Sequence, residues 1–317
     1  MRDKIFLFIL SLLTFSFLCC QSDKKAVKKE QKTDSMTLKV GLVPTFDCLP
    51  FYIAEERGLY DSIKANVAFY TYGAAMDADT AFKGKNTDGI CTDLCHAVAL
   101  SSEKYDLNVI AGTYGRQVLV GSKTVRIRKM KDLKERMIAI ARGDQSKLFL
   151  MAMLKDNKIG SDITYLPQIN NFQIRYTMLC NGQVDAAILP EPYALMAQAQ
   201  KNKALSDNDG VGLNLSCLVM KGKAQKMKNV EIRRLIIGYN MAVETINKSK
   251  PKAFSDILVK YYKMPVAMAD TLHLPVFHKA TTPSAGELKR AIGWMQSEGL
   301  VSKGFNGKGL IINEYIQ

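Results

Sequence analysis

Apolar positions along this chain change their period repeatedly, from the alternation of a pleated strand to the spacing of a helix face. From residue 38 onward, short runs rich in β-branched and aromatic residues alternate with helical stretches. That order predicts an α/β fold, with sheets whose strands are joined by crossover helices. Leu38 to Val43 reads as a first strand ended by Pro44, and Leu49 to Tyr60 as a helix stopped near Gly58. Asn66 to Tyr72, Gly89 to Thr92 and Leu107 to Gly112 read as further strands, separated by helices over Ala75 to Phe82 and Cys95 to Tyr105. These elements make one compact lobe.

After Val118 to Ser122 the unit restarts. Lys131-Asp132-Leu133 opens a short helical turn, Met137 to Ala141 reads as a strand, and Asp144 to Lys155 as an amphipathic helix. Ile163 to Leu166, a helix over Gln173 to Cys180 and the apolar strand Val184 to Leu189 continue this second lobe. Leu215 to Met220 returns the chain to the first lobe, and Val230 to Ile246, Lys252 to Tyr262 and Ser284 to Glu298 read as helices. The expected division is lobe one over 37–117 and 222–317, interrupted by lobe two over 118–221. A chain of 317 residues has the length for two domains of about 100 to 200 residues each.

The amino terminus follows different rules. Arg2 and Lys4 precede an apolar run from Ile5 to Leu18, and Cys19-Cys20 follows. The run is shorter than the roughly 20 residues of a bilayer-spanning helix, so it reads as a secretion signal. A cysteine at the cleavage point resembles the bacterial lipoprotein signal, which implies that residues 1–20 are the signal and that Cys20 is lipidated. Cys20 fits better than Cys19, because small Cys19 then precedes the cut, where Cys19 itself would follow bulky Leu18. Phe17-Leu18-Cys19 departs from the usual leucine-led pattern, and a plain secretory signal is the alternative. Residues 21–36, polar and lysine-rich, read as a flexible tether.

Composition narrows the classes. Apolar residues are 47% of the chain, enough for a buried core and against disorder. The formal charge of +14 raises nucleic-acid binding. Its lysines are scattered, no zinc or helix-turn-helix spacing occurs, and an export signal removes the chain from cytoplasmic nucleic acid, so no nucleic-acid partner is expected. Besides Cys19 and Cys20 there are Cys48, Cys91, Cys95, Cys180 and Cys217. An odd number cannot all pair, and buried free thiols are the default, with one disulfide left open.

Three phrases carry a family likeness: KVGLVPTFDCLPFYIAEERGLY from Lys39, DLKERMIAIARGDQSKLFLMAMLKDNKI at 132–159 and NGQVDAAILPEPYALMA at 181–197. In this order they resemble type 2 periplasmic binding proteins, in the branch of sulfonate, taurine, nitrate and thiamine-pyrimidine-precursor binders, over about residues 37 to 312. The resemblance implies two α/β lobes, each a mainly parallel sheet flanked by helices, closing on a ligand at the hinge cleft. It also implies a monomer anchored in the cell envelope, facing the periplasm, that hands a small molecule to an ABC permease and its ATPase. Open α/β sheets independently place ligands at the carboxyl ends of their strands.

The loops expected at that cleft supply the candidate ligand-binding residues. In lobe one they are Thr45, Phe46 and Asp47 after the first strand, Thr92 and Asp93 after the third, and Thr113 and Tyr114 after the fourth. Hydroxyls and carboxylates there can fix polar ligand atoms, and the aromatic rings can wall or stack; Thr and Asp can equally cap the next helix. In lobe two Arg142, Asp144, Gln145 and Ser146 surround a helix start whose N–H groups favour anions. Asp144 brings its own negative charge there, or serves as the N-cap. Asn170 and Asn171 can read a heterocycle or cap a helix, and Glu191, between Pro190 and Pro192, can accept from an amine or brace the lobes. The carboxylates favour a pyrimidine-like or amine-bearing ligand over a simple oxyanion.

No nucleophile elbow, H-E-x-x-H or phosphate loop occurs, so no catalytic residue, cofactor or metal is expected. His273 and His278 around Pro275 read as structural, and Trp294 as core packing. The leading expectation is a non-enzymatic solute-binding protein. A ligand-sensing lipoprotein is the alternative, followed by a pyrimidine-synthesis enzyme on the same fold, whose cysteine-dense cluster has no match in this chain.

Overall fold

The computed structural model describes residues 35–160 and 165–316. The expected signal, the Cys20 lipidation point and the tether up to residue 34 lie outside the described residues. Among the described residues no helix is long and apolar enough to cross a membrane.

The strands are β1 (Leu38–Leu42), β2 (Val67–Thr71), β3 (Gly89–Asp93), β4 (Leu107–Gly112), β5 (Gln117–Gly121), β6 (Ile138–Ala139), β7 (Ala186–Pro190), β8 (Lys203–Asp207) and β9 (Ser216–Lys221). They form two sheets, ordered β2-β1-β3-β9-β4 and β6-β7-β5-β8. In the first, β1 runs parallel to β2 and β3, while β9 is antiparallel to both β3 and β4. In the second, β5 is antiparallel to β7 and β8, and β6 runs parallel to β7. Each sheet thus carries one reversed strand, and these are the strands that follow the chain's two crossings between sheets. The crossings run side by side: Thr113 N–H donates to Ser216 O at 3.0 Å, and Gln117 and Asn208 bond through both backbone and side chain.

The helices are α1 (Leu49–Glu56), α2 (Leu59–Ser62), α3 (Ala75–Lys83), α4 (Leu94–Ser102), α5 (Gln145–Asp156), α6 (Phe172–Cys180), α7 (Tyr193–Ala199), α8 (Gly222–Met227), α9 (Asn229–Lys248), α10 (Ser255–Tyr262), α11 (Val266–Thr271) and α12 (Ala285–Ser297). Central strands covered on both faces read as unbroken apolar runs, and β3, β5 and β7 are buried along their whole length. The long α9 buries Ile232, Leu235, Ile236, Tyr239, Val243 and Ile246 on one stripe; Tyr239 there meets Phe51 of α1, ring centres 4.7 Å apart. Ser284 and Glu287 close a capping box at the start of α12.

Several expectations shift. The helix read over Leu49 to Tyr60 is two, because Gly58 takes a left-handed conformation (φ 67°) between α1 and α2. The strand read over Met137 to Ala141 shortens to β6. The one read over Ile163 to Leu166 reduces, among described residues, to a bridge of Tyr165 to Met137 beside another of Gln168 to Ile140. β9 lies in the first sheet, as its reading as a return strand requires, so the chain re-enters that sheet before residue 222, earlier than the 118–221 range of lobe two places it. β8 has no counterpart in the sequence pattern: KALSD has no β-branched residue, and it sits half-exposed at a sheet edge where propensity is weakly enforced. The five cysteines from Cys48 onward are free thiols, four of them buried.

Candidate functional site

The carboxyl ends of β1 and β3 in the first sheet face the amino end of α5 in the second layer. Between them lies a small cavity lined by Val43, Thr45, Asp47, Ala75, Thr92, Asp93, Gln117, Asp144, Gln145 and Phe172. Room for the centre of a water molecule amounts to about 20 Å³, enough for one or two waters. A larger ligand requires the two layers to part.

Six of the expected residues meet here: Thr45, Asp47, Thr92, Asp93, Asp144 and Gln145. The two readings of Asp93 and Asp144, helix cap and cleft lining, turn out to be compatible. Asp93 Oδ1 accepts from the N–H groups of Cys95 (2.8 Å) and His96 (3.2 Å) at the start of α4. Asp144 Oδ1 accepts from Ser146 N–H at 2.8 Å at the start of α5, and the Ser146 hydroxyl also donates to it. Both carboxylates nonetheless border the cavity. Across it, Asp93 Oδ2 stands 3.5 Å from the Gln145 N–H. Among the described residues the buried Thr92 Oγ1 and Gln145 Oε1 have no hydrogen-bond partner, and such groups are costly unless something in the cleft completes them.

The remaining candidates stand elsewhere. Phe46 turns into the core of the first lobe, edge-on to Tyr262 at 5.6 Å and tilted to Phe277 at 6.0 Å. Thr113 is buried behind the cleft, its carbonyl taking a bond from Asn214. Tyr114 packs edge-on to His278 at 5.1 Å, and its hydroxyl binds Asp209. Arg142 is exposed and donates to Gln168; Asn170 accepts from the Arg142 N–H and Asn171 caps α6 at Ile174. Ser146 Oγ accepts from Ala141 N–H at 2.9 Å. Glu191 sits just behind the cavity, 2% exposed, accepting from Arg116 at 3.1 Å and from Leu195 N–H at 2.9 Å. Its own carbonyl takes the Phe46 N–H at 2.8 Å, tying β7 to the loop after β1.

The sequence reading missed Phe172 and Gln117. Phe172 lines the cavity where the two asparagines before it, read as recognising a heterocycle or capping a helix, do not, and Gln117 is the one polar residue opening an otherwise apolar strand. It also missed the cations behind the wall. Arg175, one turn along α6 from Phe172, is fully buried and donates to Ile169 O at 2.9 Å. His96 Nδ1 bonds Asp79. A charged residue on the apolar side of a predicted helix was the available signal for both.

Burial governs the electrostatics. It pushes the Asp47 carboxyl up, against the side chains of Thr45, Cys91 and Ser216. It raises Asp93 to about 6, reinforced by Asp144 and opposed by His96, and Glu191 to about 7, opposed by Leu195 N–H and Arg116. For His96 burial acts downward, but the Asp79 and Asp93 carboxylates outweigh it and hold the imidazole up at about 10. Burial lowers Arg175, with Asp144 acting in the other direction. Among the described residues the lining itself carries three carboxyl groups and no basic side chain.

Among the described residues, Asp47, Cys48 and Cys91 offer ligand atoms within 4.8 Å of one another, a spacing that suits a thiophilic cation. Contact with the Cys48 thiol and burial hold Cys91 well above its ordinary value, and burial raises Cys48, so both are thiols, as expected of core cysteines.

Residues 45–240 match a family model described as NMT1/THI5 like. No curated protein matches the chain at a significant level. Among solved structures it is similar to the alkanesulfonate-binding protein SsuA from Xanthomonas axonopodis pv. citri bound to MOPS, at 15% identity and TM-score 0.74, over 88% of this chain and 98% of that one. A ligand-binding component of an ABC-type import system from Staphylococcus aureus, with zinc bound, aligns at 14% identity and TM-score 0.73, covering 88% and 97%. The periplasmic nitrate-binding protein NrtA from Synechocystis PCC 6803 aligns at 11% identity and TM-score 0.71, covering 88% and 86%. At these identities the likeness is one of fold: two sheets flanked by helices, in the two-lobe arrangement of periplasmic binding proteins.

Proposed function

The chain belongs to the NMT1/THI5-like family, whose model spans residues 45–240, and from that premise we propose that it is a solute-binding protein of an ABC importer, selective for a small cationic or amine-bearing organic molecule. The observation that carries the ligand class is the lining: Asp47, Asp93 and Asp144 with no basic side chain among them. A sulfonate or nitrate entering this cleft would meet three carboxyl groups, and the start of α5, otherwise an anion site, is already answered by Asp93 and Asp144. A protonated amine or aminopyrimidine would favour the ionised forms of Asp47 and Asp93, which burial opposes, and would complete Thr92 and Gln145. Phe172 offers a face for a ring.

In this reading the lobes hinge at the paired crossings near residues 113–117 and 208–216, and ligand stabilises the closed form. Lobe one holds the first sheet with the carboxyl-terminal helices, and lobe two the second sheet. Cys20 carries the lipid that keeps the protein in the cell envelope, residues 21–36 serve as the tether, and the closed form docks as a monomer on a permease with its ATPase.

The test is a thermal-shift and calorimetric titration of the full chain with an aminomethyl-aminopyrimidine, a simple diamine, taurine and nitrate. The amine-bearing compounds are expected to bind and raise the midpoint by mass action, and Asp144→Asn or Asp47→Asn to weaken them by at least about tenfold. Binding of taurine or nitrate with no response to the amines would overturn the ligand class.

A further inference from the structure

A second hollow, of about 540 Å³, opens at the opposite end of the first sheet, where β3 and β4 begin and β9 ends. Phe82 and Tyr105 give it apolar walls, and Lys85, Lys221 and Lys223 stand around it. Two other lysines on its rim are already answered: Lys228 pairs with Asp88 at 2.7 Å and Lys83 with Glu103 at 2.6 Å. Against the three remaining cations stands, among the described residues, one further carboxylate, Asp106, pressed against Gly222, where a Cβ would meet its Oδ2 at 2.3 Å. The hollow therefore has a net positive lining, the reverse of the cleft.

Two details mark it as more than a lysine-rich surface. Thr87, 2% exposed, lines the hollow with a buried hydroxyl that has no hydrogen-bond partner among the described residues. Lys221 is held in one place, its Nζ donating to Thr87 O at 2.7 Å and lying 4.6 Å over the Phe82 ring. Its two other ammonium protons remain for a ligand in the hollow that Thr87 also lines. Burial lowers the Lys221 ammonium from its ordinary value, a penalty that a bound anion offsets.

We propose that this hollow is a second binding site, for a phosphomonoester or phosphodiester with an apolar portion. Lys221, Lys223 and Thr87 Oγ1 take the phosphate oxygens, and Phe82 and Tyr105 take the apolar part. A soluble organic phosphate and the headgroup of an anionic phospholipid present the same chemistry.

The experiment titrates the full chain, in mild detergent at low ionic strength, with phenyl phosphate, and separately measures its binding to vesicles of phosphatidylglycerol against phosphatidylcholine. Thr87→Val and Lys223→Glu are compared with the parent in both arms, with thermal midpoints confirming that each variant folds. Phenyl phosphate is expected to bind, more weakly as salt is raised, and each variant to lose about fivefold or more in affinity. A Lys223-dependent preference for phosphatidylglycerol assigns the site to lipid headgroups; binding of phenyl phosphate alone assigns it to a soluble phosphoester. The proposal is overturned if neither probe binds, or if both variants bind as the parent does.

Discussion

The backbone N–H of Gln145, at the amino end of α5, points across the cleft to Oδ2 of Asp93, at the carboxyl end of β3, 3.5 Å away. A helix start in one lobe is thus answered by a carboxylate from the other. The contact also removes Asp93 from water, which is why its carboxyl rises to about 6. Bringing these two sides of the cleft together and keeping Asp93 ionised are therefore in conflict.

That conflict has a sign. With a native value raised from 3.8 to about 6, the closed fold binds more protons than the unfolded chain between those limits. Stability from this site is highest below pH 4 and falls as pH rises through 6. Asp93→Asn keeps an oxygen for the Cys95 N–H and removes the titration. Its stability relative to the parent is expected to grow by up to about 3 kcal/mol between pH 4 and pH 7, measured by denaturant melts; a constant difference across that range would count against it.

His96 behaves oppositely. Its imidazolium, held up at about 10, contributes stability that is complete below pH 6.5 and disappears as pH rises through 10. Asp79→Asn is expected to lower its titration by more than one unit and cost about 2 kcal/mol at pH 7.5. Imidazole resonances assigned with His96→Gln report both. An unchanged His96 titration would show that Asp79 is not its main partner.

Arg116 compensates a buried acid. It bonds Glu191 at 3.1 Å and Asp207 at 2.5 Å while itself about one third exposed. Arg116→Met is expected to cost about 1–3 kcal/mol at pH 8 after allowance for solvent screening, and less at pH 5, where Glu191 is protonated. The double variant with Glu191→Gln is expected to recover most of that loss. If it melts no higher than Arg116→Met, the pair is not coupled.

Closure can be obstructed from one position. Gly73, in the loop after β2, accepts the Phe172 N–H at 3.4 Å, and a Cβ there would meet Asn171 Nδ2 at 2.6 Å. Asn171 cannot easily retreat, because its side chain caps α6. Gly73→Val is expected to hold the lobes apart, giving a larger radius of gyration in small-angle scattering and at least about tenfold weaker ligand binding. A scattering profile identical to the parent would refute the wedge.

The fold was largely legible because short apolar runs such as VDAAIL and LNVIAG, bounded by turn residues and alternating with longer helical stretches, favour buried strands. The cleft was legible in part, since the carboxyl ends of strands identify its loops and hence Asp47, Asp93 and Asp144. What strand order alone does not set is which way a loop side chain turns. Phe46 packs against Tyr262 and Phe277 in the core, and Tyr114 bonds Asp209. Phe172 and Gln117 entered the lining because of how the lobes meet, a long-range fact with no local pattern.

The place of β9 has a consequence for how the molecule comes into being. Because Ser216–Lys221 lies between β3 and β4, those two strands lack their shared neighbour until more than two thirds of the chain has been made. The nascent first sheet holds two open edges through that interval, while the strands of the second sheet emerge in one unbroken stretch. The first sheet therefore cannot be completed without a segment from the last third of the chain, whereas every strand of the second comes from one continuous stretch.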